Sequence, residues 1–261
     1  MCLILFGKNA HPDYKLILAA NRDEFYKRPT KEAHFWEDYP RLLAGKDLEA
    51  GGTWMGIKKD GRFAALTNVR DFTKLNNQPK SRGKIPIDYL TEEKSPDDFA
   101  HSLDQHFDDY NGFNVLLYDL RTLDFVHYSN HERIINRISD GIYGLSNASL
   151  DTPWPKVRRG KKMFEQVIDQ NAESVEKLHE ELLNILSDSQ TAEDKELPDT
   201  GVPPEMEKQL SAMCIRMDEY GTRSSAVVTV DSEGKVNFTE KRYGLGDDEA
   251  GISRFEFDVR E

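Results

Sequence analysis

A cysteine stands directly behind the initiator methionine in MCLILF, and a second apolar run, LILAA, ends in four polar residues: Asn21, Arg22, Asp23 and Glu24. Methionine is removed when the next residue is small, and cysteine qualifies. The processed chain would then carry a thiol and a free α-amine on Cys2. The amine, with a pKa of about 7.7–8.0, accepts a proton near neutrality, whereas a thiol at about 8.5 is mostly protonated. Such an amine serves as base for its own side chain, so nucleophile and base come in one residue. The same position also tolerates a cysteine with no task, and the cysteine alone decides nothing.

The polar run adds to it. If 2–6 and 15–20 are neighbouring antiparallel strands, the start of one lies beside the end of the other. Residues 21–24 then come within reach of Cys2. An arginine there favours thiolate, and an aspartate holds the α-amine by charge-assisted hydrogen bonds. A polar turn closing a strand is the plain alternative, although four polar residues exceed what a turn needs.

Strands dominate the first half: 53–57 and 62–67 flank the hairpin signal KKDG, 113–119 and 123–128 flank LRTL, and 134–138 and 142–145 follow. Tight turns between consecutive strands imply antiparallel pairing. Helices are expected at 95–110, where Ser95 caps and Phe99, Leu103 and Phe107 share one face, then at 154–168 and 173–186 as a hairpin on one sheet face, and at 204–213. The segment 187–204 is polar with three prolines and reads as a loop. Strands return at 224–230, 235–242 and 254–259. The pattern predicts two antiparallel sheets sharing one core with helices outside, in a single domain over 1–261.

These blocks resemble a known family. MCLILF, LILAANRDEFYKRP, GGTWMGI, ALTNVRD, GLSNASLDTPWPKV and YGTRSSAVV are similar to the NRDE family, also called the Transport and Golgi organisation 2 family. More distantly the chain resembles N-terminal-nucleophile hydrolases of the choloylglycine and penicillin V acylase type. That resemblance implies an α+β fold, a four-layer αββα sandwich of two antiparallel sheets flanked by helices. It implies an amidohydrolase cleaving a linear C–N bond, with Cys2 as nucleophile and Arg22 and Asp23 as the arginine and acid after the second strand. Asn68 resembles an oxyanion-hole asparagine, Asn147 one that steadies the tetrahedral intermediate, and Arg223 the arginine heading a later core strand. The arginine–acid spacing is shorter here than in those hydrolases. Asn21, Glu24 and Trp54 are the substrate-binding candidates. Ordinary turn use accounts equally for Asn68 and Asn147, an ion pair with Asp218 or Glu219 for Arg223, and core packing for Trp54. The alternative function is a non-catalytic carrier of an apolar ligand, such as haem or an acyl lipid, on the same fold.

Composition narrows the partners. A net charge of −12 argues against a nucleic-acid backbone. Two cysteines, Cys2 and Cys214, allow no disulfide framework, and Cys214 in SAMCIRM reads as a small buried hydrophobe. The histidines form no metal-binding spacing, and GLGDDEAG lacks the lysine of a phosphate loop, so neither metal nor cofactor is expected. No apolar run approaches the roughly 18 residues of a membrane span. The expectation is a cytoplasmic protein that takes a small molecule.

Overall fold

The computed structural model describes residues 2–71, 76–170, 172–244 and 249–259, with Cys2 described by its backbone alone. In chain order the strands of the first half are β1 (Cys2–His11), β2 (Tyr14–Phe25), β3 (Thr30–Phe35), β4 (Leu42–Asp47), β5 (Met55–Lys58) and β6 (Arg62–Asn68). Helices α1 (Lys84–Thr91) and α2 (Pro96–Asp104) follow, then β7 (Phe113–Asp119), β8 (Asp124–Ser129), β9 (Ile134–Arg137) and β10 (Gly141–Leu145). The remainder comprises α3 (Pro155–Asp169), α4 (Val175–Leu186), α5 (Pro204–Leu210), β11 (Tyr220–Asp231), β12 (Lys235–Arg242) and β13 (Gly251–Asp258).

These elements form two compact units, Met1–Lys27 with Asp140–Glu256, and Arg28–Ser139 with Phe257–Glu261. The first holds a six-stranded antiparallel sheet in the order β10-β1-β2-β11-β12-β13. One face of it is apolar: Leu3, Leu5, Ile17, Ala19 and Val227 pack against Val157, Phe164 and Ile168 of α3 and Leu178, Leu182 and Ile185 of α4. The expected helical hairpin on one sheet face is therefore present. Alternation along each strand sends the neighbouring residues, among them Ile4, Leu18, Ala20 and Val228, to the other face. These too are buried, which is why β2 reads as an unbroken apolar run.

The second unit is a seven-stranded meander, β3 through β9 in sequence order, with α1 and α2 on one face. Its hairpins are the short ones the sequence signals. Gly61 takes φ +90° in the KKDG turn, a conformation open to glycine at little cost. The expected class, two antiparallel sheets with flanking helices, is borne out.

Several boundaries differ from expectation for local reasons. β3 was not anticipated because TKEAHF buries only Ala33 among half-exposed and exposed neighbours, leaving no alternating pattern to see. β4 was missed as well, its apolar Leu42–Leu43 start running into Lys46 and Asp47. α1 carries Pro86, yet the proline falls in the first turn, where its missing N–H costs no helical bond. The helix expected over 95–110 stops at Asp104, and Phe107–Asp109 forms a separate 3₁₀ turn whose Phe107 carbonyl accepts from Asn130. α5 ends at Leu210 rather than 213, because Met213 gives its carbonyl to Asn21 and the Cys214 N–H bonds to Asp188.

Two buried histidines link the fold to pH. His127 on β8 sits between Asn114 and Asn136, so its Nε2–H donates to the Asn114 amide oxygen while Nδ1 accepts from Asn136. His179 on α4 is held between the hydroxyls of Thr229 and Thr239. Burial pushes both imidazoles down to about 4. Each is neutral in the fold, so the unfolded chain binds more protons between about pH 6.5 and 4, and stability falls as pH drops through that window. Each histidine should withdraw about 3 kcal/mol across it. Melting temperature measured from pH 7 down to 4 should fall steeply for the native chain, and His179→Gln should flatten part of that slope. An unchanged slope in the variant rules His179 out as a source.

Candidate functional site

The two strand ends do meet. β1 and β2 pair antiparallel with Cys2 the register partner of Arg22, Leu3 of Asn21 and Ile4 of Ala20. On the far side of β2, Ser224 of β11 is the partner of Arg22, and Arg242 of β12 is the partner of Ser224. On the near side, β10 pairs Leu145 with Ile4. β10 ends at Leu145, and Asn147 lies two residues beyond it in the following bend. One line across the sheet therefore runs Cys2, Arg22, Ser224, Arg242, with neighbouring strands about 4.8 Å apart.

Alternation separates the members of the NRDE run. Asn21 turns to the helical face, where its amide donates to the carbonyls of Leu186 at 2.9 Å and Met213 at 2.8 Å. Its oxygen accepts from the hydroxyl of Ser225, which also meets the hydroxyl of Tyr243 at 2.8 Å. Arg22, one residue on, belongs to the opposite face. Asp23 accepts a 2.6 Å bond from the Thr222 hydroxyl, and that same hydroxyl takes the N–H of Ile215 at 2.9 Å. Glu24 accepts from the N–H of Phe25 at 2.9 Å.

A bulge places the later arginine. The register passes from Asp23–Thr222 to Arg22–Ser224, so Arg223 is the extra residue on β11. Bulges redirect a side chain from the ladder. Here the Arg223 guanidinium donates to the carbonyl of Phe25 at 3.0 Å, rather than serving only a local ion pair.

The charges are deeply buried. Arg22, Asp23, Asn147, Lys156 and Arg223 are each at most 5% exposed. Burial raises the Asp23 carboxyl above the usual carboxylate range, and the Lys156 ammonium and the Thr222 hydrogen bond offset part of that rise. Lys156 sits in the first turn of α3. Cys214 is buried and free, its thiol pushed up by burial, with Arg216 and Thr222 opposing. That is the inert small hydrophobe its sequence context suggests. Sequence reasoning passed over Lys156, Thr222, Ser225 and Tyr243. Lys156 and Thr222 lie inside the quoted blocks, and a lysine in an apolar helix turn was the available signal.

Asn68 and Trp54 belong to the second unit. Asn68 is the last residue of β6, half-buried and paired with Phe113. Trp54 lies with its ring against Gly45, where any Cβ would collide with the indole. Gly52 packs on the backbone of Gly83, where a Cβ would come within 2.5 Å of the Gly83 carbonyl carbon, so GGTW acts as a close-packing turn. Among the described residues no cluster of three His, Cys, Asp or Glu could hold a metal ion, and no helix is long and apolar enough to cross a membrane.

The geometry makes Asn21 an anchor. Asn21→Ala would leave two buried carbonyls without a donor and should cost about 3 kcal/mol. Urea unfolding of the variant measures the loss, and a stability equal to the native chain's would contradict the assignment.

Comparison with known proteins bears on the family and the fold. The sequence profile of the family described as Transport and Golgi organisation 2 matches residues 1–244. The chain is 37% identical over 267 residues to the Transport and Golgi organization protein 2 homolog of Bos taurus, covering 95% of each. It is 33% identical over 266 residues to the Transport and Golgi organization protein 2 of Drosophila melanogaster, covering 92% of each. Among solved structures, the mutant C2A conjugated bile acid hydrolase from Clostridium perfringens superposes with a TM-score of 0.52 at 9% identity, covering 99% of this chain and 98% of that one. That likeness shows the fold, the N-terminal-nucleophile hydrolase type, and no more. On the extent of the profile match and the identity to these relatives, the chain belongs to the Transport and Golgi organisation 2 family.

Proposed function

We propose that this protein is an N-terminal-nucleophile amidohydrolase in which Cys2, exposed as the first residue by removal of methionine, attacks a linear amide of a small molecule. The observation that carries the reading is the register: Cys2 stands opposite Arg22, on a fold of the N-terminal-nucleophile type. The family profile matches 1–244, with parts of both compact units inside it, which supports treating the chain as one functional domain. The proposed setting is the cytoplasm, where the Cys214 thiol stays reduced.

In this reading the α-amine of Cys2 takes the thiol proton and the sulfur bonds to the amide carbon. The oxygen gains negative charge, which the Asn147 amide stabilises as a neutral donor. The C–N bond then breaks as the proton passes to the departing nitrogen, leaving an acyl-thioester and a free amine. Water attacks the thioester, the acid departs, and the thiol regains its proton. Arg22 favours thiolate by its charge. Asp23, fixed by Thr222, is the carboxylate assigned to hold the amine. The Lys156 ammonium opposes the rise that burial imposes on that carboxyl.

The test needs no substrate. Intact mass of the natively expressed chain should lack one methionine, and an electrophilic amide-hydrolase probe should label Cys2. Only Cys214 could compete, and it is buried. Cys2→Ala should abolish labelling, and Arg22→Leu should slow it about tenfold, as a thiol pKa higher by one unit would. Retained methionine, or labelling that survives Cys2→Ala, defeats the proposal. A chain that loses its methionine but resists every such probe fits a carrier of an apolar ligand instead.

A further inference from the structure

We infer that β13 is an interface strand, pairing antiparallel with β13 of a second copy of the chain across a two-fold axis at Phe255. This strand is the outermost of the six-stranded sheet, and it follows the last residue that the family profile matches. An outermost strand presents backbone donors and acceptors that a further strand satisfies. Edges that must stay solitary carry prolines, charged side chains, inward charges or short strands, and of these β13 carries only exposed charges of both signs, Arg254, Glu256 and Asp258. GISRFEFD has eight residues, no proline, and regular alternation, with Ile252, Arg254 and Glu256 exposed and Ser253 and Phe255 half-buried.

Charge selects the occupant and the register. In an antiparallel pair centred on Phe255, Arg254 of each copy lies opposite Glu256 of the other, giving two cross-strand ion pairs. Centring on Arg254 or on Glu256 would instead set like charges face to face. Glu256 already bridges to Lys235 of β12 at 3.0 Å, so the new pairs extend an existing ladder, Lys235–Glu256–Arg254. On the other face Phe255 packs edge-on against Phe238, with ring centroids 6.2 Å apart. A second copy would set its own Phe255 beside that pair, continuing an aromatic row and covering a ring the single chain leaves half-buried. The two six-stranded sheets would join as one.

Sedimentation equilibrium of the purified full chain tests this. The native chain should sediment as a dimer. Glu256→Arg should raise the dimer dissociation constant more than tenfold, while far-UV circular dichroism stays native, because the side chain is exposed. The double variant Arg254→Glu with Glu256→Arg should restore the dimer. A native chain that is monomeric at every concentration overturns the inference. So does a Glu256→Arg variant that dimerises as the native chain does, or a double variant that stays monomeric.

Discussion

The pairing of β1 with β2 is the constraint on which the rest of this site depends. A strand's side chains repeat with period two, so a slip of one residue would turn Arg22 toward the helices and Asn21 away from them. Both faces of β2 are apolar along most of its length, and hydrophobicity alone therefore leaves the register loosely set. The polar end fixes it. Asn21 donates to two carbonyls, at the end of α4 and in the chain before β11, and a slip of one residue would turn it away from both. An unmet amide in that position would cost about 1–3 kcal/mol, enough to exclude the slipped arrangement. Asn21 is thus the residue that lets Arg22 stand beside Cys2.

Burial then decides what the neighbouring charges can be. A carboxylate as enclosed as Asp23 is driven toward its neutral form, and the Thr222 bond and the Lys156 ammonium act against that drive. The lysine belongs to the first turn of α3, a helix seated on the sheet through Gly160 and Val157. At Gly160 an added Cβ would come within 3.0 Å of Leu5, so the glycine permits the close approach of helix and strand. Helix packing and the ionisation of Asp23 are in this way one problem. Loosening α3 would withdraw Lys156 and leave the upward push of burial on the carboxyl less opposed.

Much of this was legible in the sequence because it rests on local patterns. The hairpins at KKDG and LRTL, the cap at Ser95 and the apolar stripes of α3 and α4 all declare themselves by period and turn chemistry. The meeting of Cys2 with residue 22 followed from the shortness of the turn between two apolar strands. What escaped was non-local. β3 buries only Ala33 and is a strand because β4 lies beside it, not because of its own pattern. Similarly, nothing in YGTRSS announces that Thr222 would pair with Asp23, since the contact spans 199 positions. The family resemblance pointed to Arg223 in that stretch, and the hydroxyl beside it went unremarked.

The bulge at Arg223 shows why the two arginines are not equivalent. A regular β11 would alternate Thr222, Arg223 and Ser224, and the arginine would face opposite to both neighbours in an unbroken ladder. The extra residue breaks that alternation at the level of the Asp23–Thr222 pair. Ser224, small and hydroxylic, then becomes the direct neighbour of Arg22, where Arg223 would have placed two like charges side by side. The displaced guanidinium is satisfied by the Phe25 carbonyl at the exit of β2. A bulge thus keeps both cations beside the end of β2 while sparing the sheet their direct cross-strand repulsion, and straightening β11 would force one of them to leave.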